Sequence, residues 1–503
     1  MLVMSNCLFR PPVPWLVIYA IVCLLWIGFA DGIAPNIISA AYNERSLSVL
    51  NWFFKSHRSL PLEHYLDRWS VTAAAVLIAM VVHLAIVLLI GRIDRKHRLS
   101  ATPTALSRIN FILIAFSAAF LALTVLSWAQ GDYKYYYLDE WRVVLAGRDP
   151  WLCGRPLNPA CNSYGPLFNA LAPLVWVNPF ANKLLFAFSY LAYVIWLIKD
   201  LAPRRGLALS WPWWSLWILN PFPWVEIAYF GYFDVLVALA CVAAVHSLIS
   251  KRDAVSGTYL AVGVLLKYMP IVILPFLVFS ERRFHFRLLS VCVGVVIFGL
   301  AVSTLIWGTS TFSPLALAAL RHPTWSIYDV LGSTHSPLRL FWDWPKVASI
   351  DWLEKPFLVT AGLGVFVWCV LRRTGPALAG TLAILVTLLF FRSGYFNYQM
   401  VPFLLISYWV VSEWKQLREH SGLAALLGGY FGVLTILELV HWSTITIVTY
   451  TDGDILYSAM VMLKFLLNCA LLVRLLQFSA LHRSNYHNSE QPNPMAATTP
   501  QST

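Results

Sequence analysis

Between two basic clusters the chain reads AVSGTYLAVGVLLKYMPIVILPFLVFSE, Ala254 to Glu281. The stretch is apolar and exceeds the roughly 20 residues that an upright membrane crossing needs. Lys251 and Arg252 stand before it, and Arg282, Arg283 and Arg287 follow at its end. Basic loops stay on the cytoplasmic side, so both flanks belong on one face, and a single crossing would put one of them on the wrong side. A hairpin resolves the conflict. Its tip is Leu266-Lys267-Tyr268-Met269-Pro270, and each arm of about 13 residues rises only about 20 Å. The Lys267 ammonium then sits below the outer headgroups. An ionisable group at that depth is a functional candidate by default, with an anion such as a lipid phosphate as its natural partner. The competing reading is a lysine that snorkels to the headgroups.

The rest of the 503-residue chain fits this setting. It is 59% hydrophobic and 12% charged, with a mean hydropathy of +0.67, against roughly a quarter charged residues in soluble chains. Apolar stretches recur at 14–34, 69–91, 110–128, 183–199, 207–221, 232–250, 255–266, 269–280, 286–307, 356–371, 376–391, 399–414, 422–442 and 456–477. The fold expected is an all-α polytopic membrane protein of about 12–14 transmembrane helices. A formal charge of +12 would suggest nucleic acid in a soluble protein. Here the Lys and Arg residues lie in short gaps between apolar runs and read as topology signals, with no nucleic-acid partner.

The same rule sends 35–68, 129–182 and 308–355 to the non-cytoplasmic side. The last two are rich in aromatics, among them Trp151, Trp176, Trp325, Trp342, Trp344 and Trp352, a composition suited to interfacial loops. Pro173 and Pro179 break the apolar stretch 166–182, which reads as lying along the interface before a crossing begins near Lys183. Chemistry belongs on this outer face, because the cytoplasmic gaps are too short to build a site. The domain reading is an N-terminal two-helix accessory region, 1–109, carrying the outer loop 35–68; a transmembrane core, 110–480; and a cytoplasmic tail, 484–503, whose polar composition predicts disorder.

The first aromatic loop runs from Asp132-Tyr133-Lys134 through Asp139-Glu140-Trp141-Arg142 to Gly147-Arg148-Asp149-Pro150-Trp151, and then to Tyr164-Gly165-Pro166. A carboxylate just after a membrane helix and among aromatic rings can serve as a general base, since partial desolvation raises its pKa toward the working pH. The plain alternative is a wetted loop with ordinary acids. Cys153 and Cys161 in the same loop have a spacing that permits a small disulfide-closed loop where that side is oxidising. Glu226 and Asp234 flank a second outer turn and either face a polar cavity or cap the next helix. Lys464, inside the last span, invites the same argument as Lys267.

A third patch, Arg392-Ser393-Gly394-Tyr395-Phe396-Asn397-Tyr398-Gln399, offers an Arg that could hold phosphate, or an interfacial aromatic belt. Asp452-Gly453-Asp454 has the Asp-x-Asp form of some metal sites, but three loop residues carry little, so no metal or other cofactor is assigned and a divalent ion stays an open alternative. No nucleotide-binding loop, zinc-protease motif or nucleophile elbow occurs. An outer-face reaction would therefore draw on energy stored in its substrate.

In this order, these patches resemble the membrane-embedded glycosyltransferases of the C superfold, above all the bacterial polyprenyl-phosphate-mannose-dependent mannosyltransferases of family 87. They are more distantly similar to the first mannosyltransferase of glycolipid-anchor synthesis. The stretches that carry the resemblance are Asp139 to Trp151 with Tyr164-Gly165-Pro166; Asn220-Pro221-Phe222-Pro223 through Gly231 and Asp234; Gly257 through Lys267 and Pro270 to Pro275; and Phe391 through Gln399 to Pro402. The resemblance implies a glycosyltransferase C-like core and an inverting transfer of a hexose, mannose above others, from a polyprenyl-phosphate sugar to a glycan or glycolipid acceptor. It places the reaction on the outer face of a bacterial inner membrane, with membrane lipid as a further partner, and the absence of any Asn-x-Ser/Thr sequon fits that setting.

The resemblance also assigns roles. It makes Asp139 the general base and Lys267 the group that neutralises the departing lipid phosphate, with Arg392 and Gln399 on the donor and Glu140, Tyr164, Asp234 and Tyr398 in support. Met400 stands where the family has Tyr, and Gly231-Tyr232-Phe233-Asp234 stands where many relatives have Gly-Gln-x-Asp. Two other classes remain open. A flippase or transporter of a lipid-linked glycan would carry a central row of polar residues through several helices, and an envelope-assembly scaffold would show no turnover.

Overall fold

The computed structural model describes residues 27–43, much of 61–70, 104–127, 132–151, 162–205, 220–315, 351–391, 396–413 and 455–489, with scattered positions such as 73, 77 and several between 427 and 438. It is 86% helical, with no strand among the described residues. The principal helices are α1 (Ala34–Asn43), α2 (Thr104–Leu126), α3 (Leu138–Leu145), α4 (Ala181–Trp196), α5 (Asp234–Ile249), α6 (Asp253–Leu266), α7 (Phe286–Trp307), α8 (Asp351–Arg372), α9 (Pro376–Phe390), α10 (Met400–Ser412) and α11 (Ile455–Ser489). Apolar runs dictate most of these helices, and they carry Pro356 inside α8 and Pro402 in the first turn of α10. In hydrocarbon a backbone can satisfy its N–H and C=O groups only within the segment itself.

Among the described residues, four stretches are long and apolar enough to cross a bilayer: Ala181–Arg204, Phe286–Leu315, Glu354–Arg372 and Val461–Ala480. The protein is thus an all-α polytopic membrane protein. On α7, Leu305 is 87% exposed and Phe298 71%. Leaving such side chains in water costs about 1.5–3 kcal/mol each, and lipid removes that cost. By contrast α9 and α10 are buried along nearly their whole length, so they form the centre around which the other helices pack.

The hairpin is present. α6 ends at Leu266, Lys267 takes an extended backbone, and the chain folds back through a 3-10 turn, Met269–Ile273, into a short helix, Leu274–Val278. Its two feet meet, because His285 Nδ1 lies 3.0 Å from Asp253 Oδ2 and the His285 amide donates to the Val278 carbonyl. The basic flanks therefore share one face, as the charge pattern requires. Gly257 lies against the backbone of Leu288, and Gly299 against the Leu265 side chain, so α6 and α7 run parallel. From the level of Gly299 α7 continues to Trp307, about 12 Å further at 1.5 Å per residue. The hairpin tip stops short of the end of α7 by about that length.

Other basic ends gather on the same face. Trp196 stacks on Tyr408, whose hydroxyl lies 3.1 Å from His246 Nδ1, and Gly375 abuts the Glu413 carboxyl. The ends of α4, α5 and α10 and the start of α9 are thereby drawn together. At the opposite end, two short helices, Pro166–Asn169 and Leu174–Val177, precede α4. Trp176 there is 74% exposed, the disposition of an interfacial anchor.

Two regions depart from the sequence reading or escape it. α11 runs to Ser489, past the expected start of the tail at Ser484, because no Pro or Gly interrupts the helix between Arg474 and Ser489. Residues 490–503, most of 1–26 and 78–103, and the Cys153–Cys161 loop lie outside the described residues. In the N-terminal region Ala30, Ala34, Ile38, Tyr65, Trp69 and Ala73 form an apolar cluster apart from the main core, tied by the Trp69 indole N–H donating to the Ala30 carbonyl at 2.9 Å.

Candidate active site at the hairpin tip

At the break after α6 the Lys267 side chain is only 7% exposed. A buried ammonium has to be paired, and Lys267 Nζ lies 2.5 Å from Asp234 Oδ1. Asp234 is the first residue of α5 and fully buried, where the partial positive charge of a helix start favours a carboxylate. Its second oxygen accepts from Asn397 Nδ2 at 2.9 Å. The Tyr398 ring centroid is 3.7 Å from the ammonium, with Phe233 at 5.6 Å and Tyr164 at 5.8 Å, so aromatic faces supply further electrostatic attraction. Three distant stretches of sequence, 164–166, 233–234 and 396–399, thus converge on one lysine.

The first loop is fixed to the tip by backbone contact. The Gly165 amide donates to the Leu266 carbonyl at 3.0 Å, and any Cβ at Gly165 would collide with the Leu265 carbonyl. Only glycine fits there, and it delivers Tyr164 to Lys267. The loop itself is braced by the Trp151 indole donating to the Tyr164 carbonyl at 3.0 Å and by the Tyr164 amide donating to Asn162 Oδ1 at 2.9 Å.

Asp132 lies in the electrostatic field of this cluster. It lies just after α2 and just before a π-helical turn, Tyr133–Tyr137, outside the spanning segments. Its side chain keeps contact with solvent although protein crowds it on most sides. Burial and the Asp234 carboxylate push its pKa up to about 6, while Lys267 pulls the other way. A carboxyl tuned close to neutrality and open to solvent is suited to accept a proton from an incoming hydroxyl.

Of the other residues singled out in the sequence, Asp139 and Glu140 lie on α3, Asp139 half-buried and Glu140 fully buried. Asp139 stands seven residues, about 10 Å of helix, beyond Asp132. The structure brings Asp132 into the field of Lys267 and Asp234. Gln399 is buried and its Oε1 accepts from the Tyr430 hydroxyl at 3.3 Å. Arg392, Cys153, Cys161, Asp452 and Asp454 lie outside the described residues. Glu226 sits in a second π-helical turn, Trp224–Tyr229, fully buried, with the Glu438 carboxyl as its hydrogen-bonding neighbour. It faces the interior and is not a helix cap. Lys464 is buried, 5.7 Å from the Phe396 ring centroid. Among the described residues no cluster of three or more His, Cys, Asp or Glu side chains forms a metal site.

Two important residues escaped the sequence reading. Asn397 fell inside a noted patch without being singled out. Lys183 was read only as the start of a crossing, yet it is fully buried, its Nζ donating to the Ser127 carbonyl at 2.5 Å and the Tyr229 carbonyl at 2.6 Å. It ties the end of α2, the start of α4 and the 224–231 turn together beneath the site. A lone lysine opening an apolar run was the available signal.

The site therefore combines a polytopic helical scaffold, a buried lysine reachable from one side and an acid poised near neutrality. A family model described as glycosyltransferase family 87 matches residues 163–393, 231 of the 503 residues. The match agrees with the resemblance seen in the sequence over that stretch, and it supports a membrane glycosyltransferase. Tyr164, Asp234 and Lys267 fall inside the matched stretch, whereas Asp132, Asn397 and Gln399 fall outside it. No curated protein matches the chain.

Proposed function

We propose that the chain moves a hexose, mannose in the reading the family resemblance favours, from a polyprenyl-phosphate sugar to a hydroxyl of a glycan or glycolipid, with inversion, at the outer face of a bacterial inner membrane. One observation carries this reading: a solvent-reachable carboxyl, Asp132, lies in the electrostatic field of a buried lysine, Lys267, that is paired with Asp234 and set against the Tyr398 ring. The hydroxyl oxygen of the acceptor attacks the anomeric carbon while its proton passes to Asp132. The bond between that carbon and the phosphate oxygen breaks, and the electron pair stays on the phosphate beside the Lys267 ammonium. A single displacement of this kind inverts the anomeric centre. We assign the general-base role to Asp132 for its electrostatic contact with Lys267 and Asp234, beside Asp139, to which the resemblance gives it, and the two are told apart by their Asn variants.

The N-terminal region, with an apolar cluster of its own, fits an accessory part that holds an acceptor or partner. The flippase alternative needs polar groups along the length of several helices. The buried Glu226 and Glu438 instead lie within the electrostatic reach of Asp132 and Asp234, at the same end as the site. The test is transfer of labelled mannose from synthetic polyprenyl-phosphate mannose by purified protein in lipid, with envelope glycan and lipid extract as acceptor, and the anomeric configuration of the product read by NMR. A retained configuration would sink the single-displacement mechanism.

A further inference from the structure

The Asp234–Lys267 pair is asymmetric. Asp234 is wholly enclosed, while the lysine side chain keeps a small exposed part. The carboxylate is held by Asn397 through Oδ2 and by its own place at the start of α5. Asp132 lies within the field of both partners. A buried ion pair is weak support for stability, since apolar residues of similar volume serve a core as well or better. Its presence at the tip of a hairpin, among three converging stretches, calls for another role.

We propose that Asp234, fixed by Asn397, is the positioning residue for Lys267: it anchors the ammonium so that its remaining N–H groups meet the phosphate of the lipid-linked donor. The inference rests on the donor reading given above. An ammonium has three N–H directions. Committing one to Asp234 and setting the Tyr398 ring against the group at 3.7 Å fixes the direction of the charge, which preorganises the site before the donor arrives. Asp234 then acts only through Lys267, and donor phosphate adds to the pair without displacing the carboxylate.

The experiment measures binding of farnesyl phosphate, a short lipid phosphate without sugar, to the purified full chain in detergent, for wild type, Asp234→Asn, Lys267→Met, the double variant and Asn397→Ala. Steady-state transfer from polyprenyl-phosphate mannose supplies KM values for donor and acceptor. Lys267→Met and Asp234→Asn should each weaken binding at least about tenfold and raise donor KM while acceptor KM stays unchanged. The double variant should bind no worse than Lys267→Met alone, because both changes break one unit. It also leaves no unpaired buried charge at the pair, so it separates loss of function from loss of fold. Asn397→Ala should give a smaller loss in the same direction. Unchanged or tighter binding by Asp234→Asn, or additive losses in the double variant, overturns the assignment while the donor reading stands. Absence of binding by folded wild type overturns the donor reading and the assignment with it.

Discussion

If Asp132 accepts the proton of the acceptor, turnover must follow its ionisation. The structure places that ionisation at about 6, raised by burial and by the Asp234 carboxylate and restrained by Lys267. Tyr137, Tyr164, Tyr232 and Glu226 also lie within its field. The sign is simple. The ionised carboxylate is the competent form, so activity is lost as pH falls through 6. With a single titration, about nine tenths of the enzyme is competent at pH 7 and about one tenth at pH 5, a roughly tenfold fall in kcat/KM across two units. An unperturbed aspartate near 3.9 would leave nearly all of the enzyme active at pH 5. The assay is the initial rate of mannose transfer in lipid nanodiscs between pH 4.5 and 8, with each sample returned to pH 7 to check reversibility. Asp139→Asn should keep the same acid limb. A flat profile between pH 5 and 7, or an acid limb that vanishes in Asp139→Asn while Asp132→Asn stays active, would refute the reasoning.

Three further outcomes follow from packing. Gly165→Ala drives a methyl group into the Leu265 carbonyl, which should cost about 1–3 kcal/mol, visible as a lower Tm with a parallel loss of turnover; an unchanged Tm contradicts the close approach. Lys183→Met leaves the Ser127 and Tyr229 carbonyls without their buried donor, a loss on the order of 3 kcal/mol that should appear as early unfolding in a thermal scan. Single cysteines replacing Asp253 and His285, the feet of the hairpin, should react with an impermeant thiol reagent from the same side of sealed vesicles; labelling from opposite sides would rule the hairpin out.

The hairpin was legible in the sequence because it is a topological necessity. Two basic flanks around one apolar run leave no other arrangement under the positive-inside rule, and its tip residue follows from the midpoint. Helix spans were legible for the same reason: α7 was read as 286–307 and is Phe286–Trp307. The partners of Lys267 were not legible, since Asp234 stands 33 residues before it and Asn397 lies 163 residues beyond Asp234. Only the packing of α5, α6 and the 396–399 turn brings them together. Asp132 and Asp139 lie in one aromatic loop, seven residues apart, and composition treats them alike. What separates them is a π-helical turn between them and the docking of the loop on the hairpin through Gly165, neither of which has a periodic signature. The burial of Lys183 depends likewise on carbonyls from two other elements.

The most direct test of the central assignment is transfer of labelled mannose from polyprenyl-phosphate mannose by purified wild type beside Asp132→Asn and Asp139→Asn, each shown to be folded by its elution and melting profiles. Robust transfer by wild type and Asp139→Asn, with a loss of about a hundredfold or more in Asp132→Asn, is the predicted result. Full activity in Asp132→Asn, or no transfer by folded wild type with this donor and then with other polyprenyl-phosphate sugars, would contradict it.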